Sequence, residues 1–314
     1  MKKVLAAFSM LVMGQVYAQD LSFGDVNYFI KKGQFNFVVD TTLEARNYKL
    51  KSGGTTDTKD REGYYQRARA NFGLSDQLNL FVGIGYNHKN RVKSETAPTN
   101  ESFYENGFIN PQVGLNFRAV NQSQALVNVD VGAVASIRIQ DEKVGASVGK
   151  SSRDGNSANG RNSVEGNVRI GRKWNEANEW QLALGGIYNM SGERDRKQIG
   201  AATQNLDLDS SVDAYLRASY QYRPVQEIMF LLSLQGNKIS EMEESNSSTK
   251  YKYDDHLDFD IAFNVKYLIT ENFILRGIMQ KGNNPSYDYT TNGTKTEVKS
   301  RRENVYGLGF DFLF

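Results

Sequence analysis

Few residues in this chain are equipped for chemistry. It has two histidines and no cysteine, which excludes thiolate nucleophiles, thiolate metal sites and disulfides. One histidine lies in an acidic run, Tyr253-Asp254-Asp255-His256-Leu257-Asp258-Phe259-Asp260. An imidazole among carboxylates can activate a water molecule, and the carboxylates can hold a divalent cation. Charged strand ends that simply face water have the same composition. No second acid pair is identifiable to complete a hydrolytic centre, so no catalytic residue, metal site or cofactor is assigned. His88 has the parity of an interfacial strand residue. Gly145-Ala-Ser-Val-Gly149-Lys150-Ser151 falls one residue short of phosphate-loop glycine spacing.

The remaining charges have a pattern of their own. Ala68, Ala70, Phe72 and Leu74 share one face of a strand, Ser75-Asp76-Gln77 turns, and Leu78, Leu80, Val82, Ile84 and Tyr86 share a face of the next. Between them stand Arg67, Arg69, Asn71, Asn79, Gly83 and Gly85. One side suits lipid and the other water. The same alternation recurs to the end of the chain and predicts twelve strands. Short turns lie near 75–77, 121–123, 175–178, 223–225 and 270–272. Longer polar segments lie near 51–60, 90–103, 140–160, 191–206, 240–253 and 281–298.

On the water-facing parity fall Arg67, Arg69, Asp130, Arg138, Glu165, Arg169, Asp213, Arg217, Asp258, Asp260 and Arg276. Opposed basic and acidic sectors of such a wall would set up a transverse field and select solutes. A lattice of ion pairs filling the interior is the alternative. Gly83, Gly85, Gly114, Gly132, Gly171, Gly185, Gly307 and Gly309 share this parity. They either thin the wall or make room for side chains crossing the lumen.

The first residues are of another kind. Met1-Lys2-Lys3, the apolar run Val4–Met13 and Val16-Tyr17-Ala18 predict a secretory signal peptide over 1–18. Residues 19–32 are mixed in character and read as a periplasmic lead-in, with a short plug as the alternative. Residues 33–314 read as one barrel domain. The net charge of +2 gives no reason to expect nucleic acid.

The chain ends Tyr306-Gly-Leu308-Gly-Phe310-Asp-Phe312-Leu-Phe314. With this strand, the alternation, the turn asymmetry and the aromatics beside the turns, the chain resembles bacterial outer-membrane β-barrels. The resemblance implies an all-β transmembrane antiparallel barrel with short periplasmic turns and long extracellular loops. It also implies contact with outer-membrane lipid and lipopolysaccharide, and Phe310, Phe312 and Phe314 as a signal to the barrel-assembly machinery. The expected function is a narrow pore for passive or weakly selective passage of small polar solutes, and not an enzyme. Two alternatives stand beside it: a closed structural or surface-recognition barrel acting through its loops, and a rim hydrolase centred on His256, similar to the omptin type.

Overall fold

The computed structural model describes residues 23–95, 100–104, 107–139, 142–148, 160–196 and 203–314; the proposed signal peptide lies outside them. Eighteen strands, numbered in chain order, form one sheet closed on itself. Twelve make the barrel: β1 Phe35–Ser52, β2 Thr55–Ser75, β3 Leu78–Ser94, β5 Gly107–Val120, β6 Asn128–Ser136, β8 Arg161–Lys173, β9 Asn178–Arg196, β11 Ser211–Val225, β12 Ile228–Ile239, β15 His256–Thr270, β16 Phe273–Asn284 and β18 Thr294–Leu313. Each pairs antiparallel with the next. β1 closes on β18, with Asn36 opposite Leu313 and Leu43 opposite Tyr306. Phe35 and Phe314 exchange backbone hydrogen bonds of 2.9 and 2.7 Å at the seam.

The alternation in sequence is the cause of this closure. Leu257, Phe259, Ile261, Phe263, Val265 and Tyr267 on β15 are all exposed on the outer face, as are Leu80, Val82 and Ile84 on β3. A closed barrel leaves no strand edge unpaired, so this apolar surface can face lipid with every backbone group satisfied from within. One irregularity shapes the interior. Gly83 pairs with Gln112 but Gly85 with Ile109, so β5 carries one extra residue at Asn110-Pro111. A bulge is where a proline, lacking an N–H, fits a sheet. It turns both Ile109 and Asn110 toward the lumen.

The long polar segments differ from expectation. Much of their length is not loop but sheet, in six short strands: β4 Asn100–Tyr104, β7 Glu142–Val148, β10 Gln204–Leu208, β13 Met242–Ser245, β14 Lys250–Tyr253 and β17 Tyr287–Thr291. With the upper ends of β1, β2, β3, β9 and β18 they make a second closed ring. Its order is β1-β2-β3-β4-β7-β9-β10-β13-β14-β17-β18. An odd ring cannot alternate direction throughout, and one pair, β7 with β9, runs parallel.

Two hairpins of this upper tier turn on positive-φ pairs, Gly53-Gly54 (52° and 86°) and Asn292-Gly293 (47° and 85°), as a two-residue type I′ connection requires. Leu206, Leu208, Tyr251 and Val298 are buried there. Glu244 is buried with them and pairs with Arg194. The Arg196 guanidinium lies 4.7 Å from the Tyr251 ring centre, and Tyr253 stacks on Tyr289. Burial pushes the Tyr253 phenol up to about 12.

Candidate functional site: a chamber inside the barrel

Beneath the upper tier the barrel holds a chamber of about 850 Å³, lined by residues of the barrel wall and by residues 23–26 and 28–30. Those residues form its floor. The described part of the N-terminal segment does not simply lead into β1, as the sequence suggested. It lies across the short-turn end of the lumen as a bar.

Polar contacts hold the bar to the wall. Asp25 sits between Lys173 on β8 and Arg223 on β11, each 2.9 Å away, with its side chain almost wholly buried. Glu179 on β9 accepts the backbone N–H groups of Val26 and Asn27 at 2.8 and 2.6 Å. Lys266 on β15 donates to the Gly24 carbonyl at 2.8 Å. Arg118 on β5 donates to the Asn27 carbonyl at 2.7 Å and lies 4.6 Å from the Phe29 ring centre. The backbone groups of an irregular segment inside a barrel need such partners, since no sheet supplies them. At its far end Tyr28 donates to Gln34 at 2.7 Å, and burial raises the phenol's pKa.

Arg67, Arg69, Asp130, Arg169, Arg217, Asp260 and Arg276 all line the chamber. The opposed acidic and basic sectors are not what forms. Asp130 is taken by Arg118 through two hydrogen bonds of 2.8 and 3.1 Å, both side chains being buried. Arg276 bridges Asp40 and Asp311, each at 2.8 Å, and so ties β16 to β1 and β18. Asp260 accepts from Asn237. The acids are therefore largely consumed, while several cations are not. Among the described residues Arg69 makes no hydrogen bond or ion pair; the Phe81 ring centre lies 5.3 Å from its guanidinium carbon, and Asp40 and Asp311 are within electrostatic reach. Arg169, opposite Asp130 in register, donates to the Asn116 amide oxygen at 2.6 Å, and its buried Nε has no hydrogen-bond partner among the described residues. Arg67 is 3.9 Å from Glu44 at closest approach.

Four of the wall charges lie elsewhere. Arg138 pairs with Glu193 at 3.0 Å beyond the end of β6. Glu165 accepts from Tyr215 at 2.5 Å. Asp213 accepts from Asn189 and from the Ser240 backbone. Asp258 lies 3.7 Å from His256 at the rim. The His256 ring stacks on Tyr287 with centroids 4.2 Å apart, and its Nδ1 contacts the Asp254 carbonyl at 3.1 Å. No group of three or more His, Cys, Asp or Glu that could hold a metal exists among the described residues. His88 lies on the outer face between Tyr64 and Tyr86, both rings 4.8 Å away.

The lumen glycines are seats for side chains more than gaps. A Cβ on Gly114 would come within 2.4 Å of the Phe81 ring, one on Gly185 within 2.4 Å of Tyr215, and one on Gly171 within 1.9 Å of the Asn27 amide. What sequence reading missed was Asp40, Asp311, Lys266 and the whole floor as participants with fixed partners. Their parity was visible, but the register that pairs them was not.

Known structures have this architecture. An outer-membrane channel from Pseudomonas putida F1 superposes with a TM-score of 0.59 at 14% identity, over 94% of this chain and 100% of that one. The fold is that of an outer-membrane β-barrel. The translocator domain of the autotransporter NalP from Neisseria meningitidis gives 0.50 at 5% identity, over 99% and 95% of the two chains. A FadL homologue from Pseudomonas aeruginosa gives 0.50 at 8% identity, over 96% of each. At these identities the likeness is one of fold. No family model and no curated protein matches the sequence.

Proposed function

We propose that this barrel spans the bacterial outer membrane as a narrow pore for small polar solutes, and that it favours anions. The observation that carries the reading is the charge left over in the chamber. Asp130 is bonded to Arg118, and Asp40 and Asp311 share Arg276, so among the described residues Arg69, Arg169 and Arg217 line the chamber with no hydrogen bond or ion pair to an acid. Cations fixed in a low-dielectric wall raise the local concentration of anions and oppose cations. The short turns and the bar would lie on the periplasmic side, the upper tier outside. Phe310, Phe312 and Phe314 would be read by the assembly machinery, and the outer face would contact lipid and lipopolysaccharide. This reading needs no catalysis at His256.

The test is the reversal potential of the refolded full chain in a planar bilayer under a salt gradient. Small discrete conductance steps with anion preference are expected, and Arg69→Gln with Arg217→Gln should move the reversal potential toward cations. A cation-selective channel, or one indifferent to both substitutions, overturns the reading.

A further inference from the structure

Arg118, Asp130, Arg169, Ala183 and Arg217 occupy one continuous cross-strand row on β5, β6, β8, β9 and β11. Reading along it, Arg118 and Asp130 neutralise one another. The next two positions with charge are Arg169 and Arg217, with only the buried methyl of Ala183 between them. Their strands are two apart, so their backbones are about 10 Å from one another. Each guanidinium lies within electrostatic reach of the other, and Arg169 is also within reach of Arg69 from β2.

Two like charges side by side are unfavourable unless something neutralises them. Asp130, opposite Arg169 in the row, offsets part of that charge, but its hydrogen bonds go to Arg118, and among the described residues no carboxylate is bonded to Arg169 or Arg217. Among the described residues Arg217 has no hydrogen bond or ion pair, and the buried Arg169 Nε is without a partner. The carboxylate two rows above, Glu165, is held by Tyr215 and Asn167. Asn116, whose amide oxygen accepts from Arg169, has its amide N–H groups left to complete the shell of a bound oxygen, while Gln181 donates to Val26 and Asn27 of the bar.

We infer that Arg169 and Arg217, faced by Arg69, form a discrete oxyanion site in the middle of the chamber, taking the phosphate or carboxylate group of a small solute. A planar guanidinium offers paired N–H donors matched to two oxygens of one such group, which a diffuse positive field does not. This deepens the anion preference proposed above: the pore would saturate with oxyanions and not with chloride.

The experiment is calorimetric titration of the full-length detergent-solubilised barrel with inorganic phosphate and with malonate, in chloride buffer. Saturable binding of one or both is expected, and the tighter probe names the acid class. Arg217→Gln should weaken it about tenfold or more, as loss of a charge-assisted hydrogen bond implies. Because Arg217 has no hydrogen bond or ion pair to lose among the described residues, its barrel should still fold, checked by heat-dependent gel mobility. Heat released without saturation, or equal affinity in Arg217→Gln, overturns the site. The wild-type titration alone decides the matter if the variant does not fold. Conduction is measured separately. A barrel that conducts anions but binds neither probe sinks the site and leaves the pore reading standing. One that binds but does not conduct supports the site and sinks the pore.

Discussion

At the scale of single residues, the interior is governed by which charges are matched. Arg118 and Asp130 are both buried and joined by two hydrogen bonds, and the same guanidinium holds the bar. Removing one member of a buried pair leaves the other charge uncompensated, at a cost of about 3–5 kcal/mol. Asp130→Ala should therefore lower the barrel's unfolding midpoint in urea by a large, easily read step. A change no bigger than that of an exposed control such as Lys238→Ala would mean that water reaches Arg118. Both residues carried lumen parity in the sequence, so their location was legible there. Their pairing was not, because which acid meets which base depends on cross-strand register, and β5 and β6 slip between Arg118 and Val120.

At the scale of elements, the short turns and apolar faces could be read directly because lipid on one side and water on the other impose a period of two. That constraint weakens above the membrane, where the outer face of a strand meets water and no longer has to be apolar, and the upper-tier strands looked like polar loops. Ser52-Gly53-Gly54-Thr55 and Asn292-Gly293 were the available signal, since such pairs mark tight hairpins and not open loops. The bar gave less away still. It is held by side chains reaching its backbone, which leaves no periodicity in residues 23–30. Its seat can be tested at Gly24, whose φ of +98° and closeness to Ile274 and Met229 leave no room for a larger side chain. Gly24→Val should dislodge the bar with the wall intact, raising single-channel conductance several-fold while heat-dependent gel mobility stays unchanged. Unaltered conductance would mean that the bar is not what narrows the lumen.

At the scale of the whole molecule, two rings share strands but not contents. The lower is hollow, with a wetted chamber among arginines; the upper contains packed apolar and paired charged side chains. The floor of the chamber runs without interruption through Lys31 and Gln34 into β1. That continuity gives the floor the character of a tethered blocker. Once released it stays within a few residues' reach of its seat, at an effective concentration on the order of millimolar. Opening would then be brief and self-reversing, with no partner required to shut the lumen again. A barrel lacking residues 23–32 should be blocked by the free peptide of that sequence only when the peptide approaches millimolar levels. Block at micromolar levels would point to a seat far tighter than a tether needs.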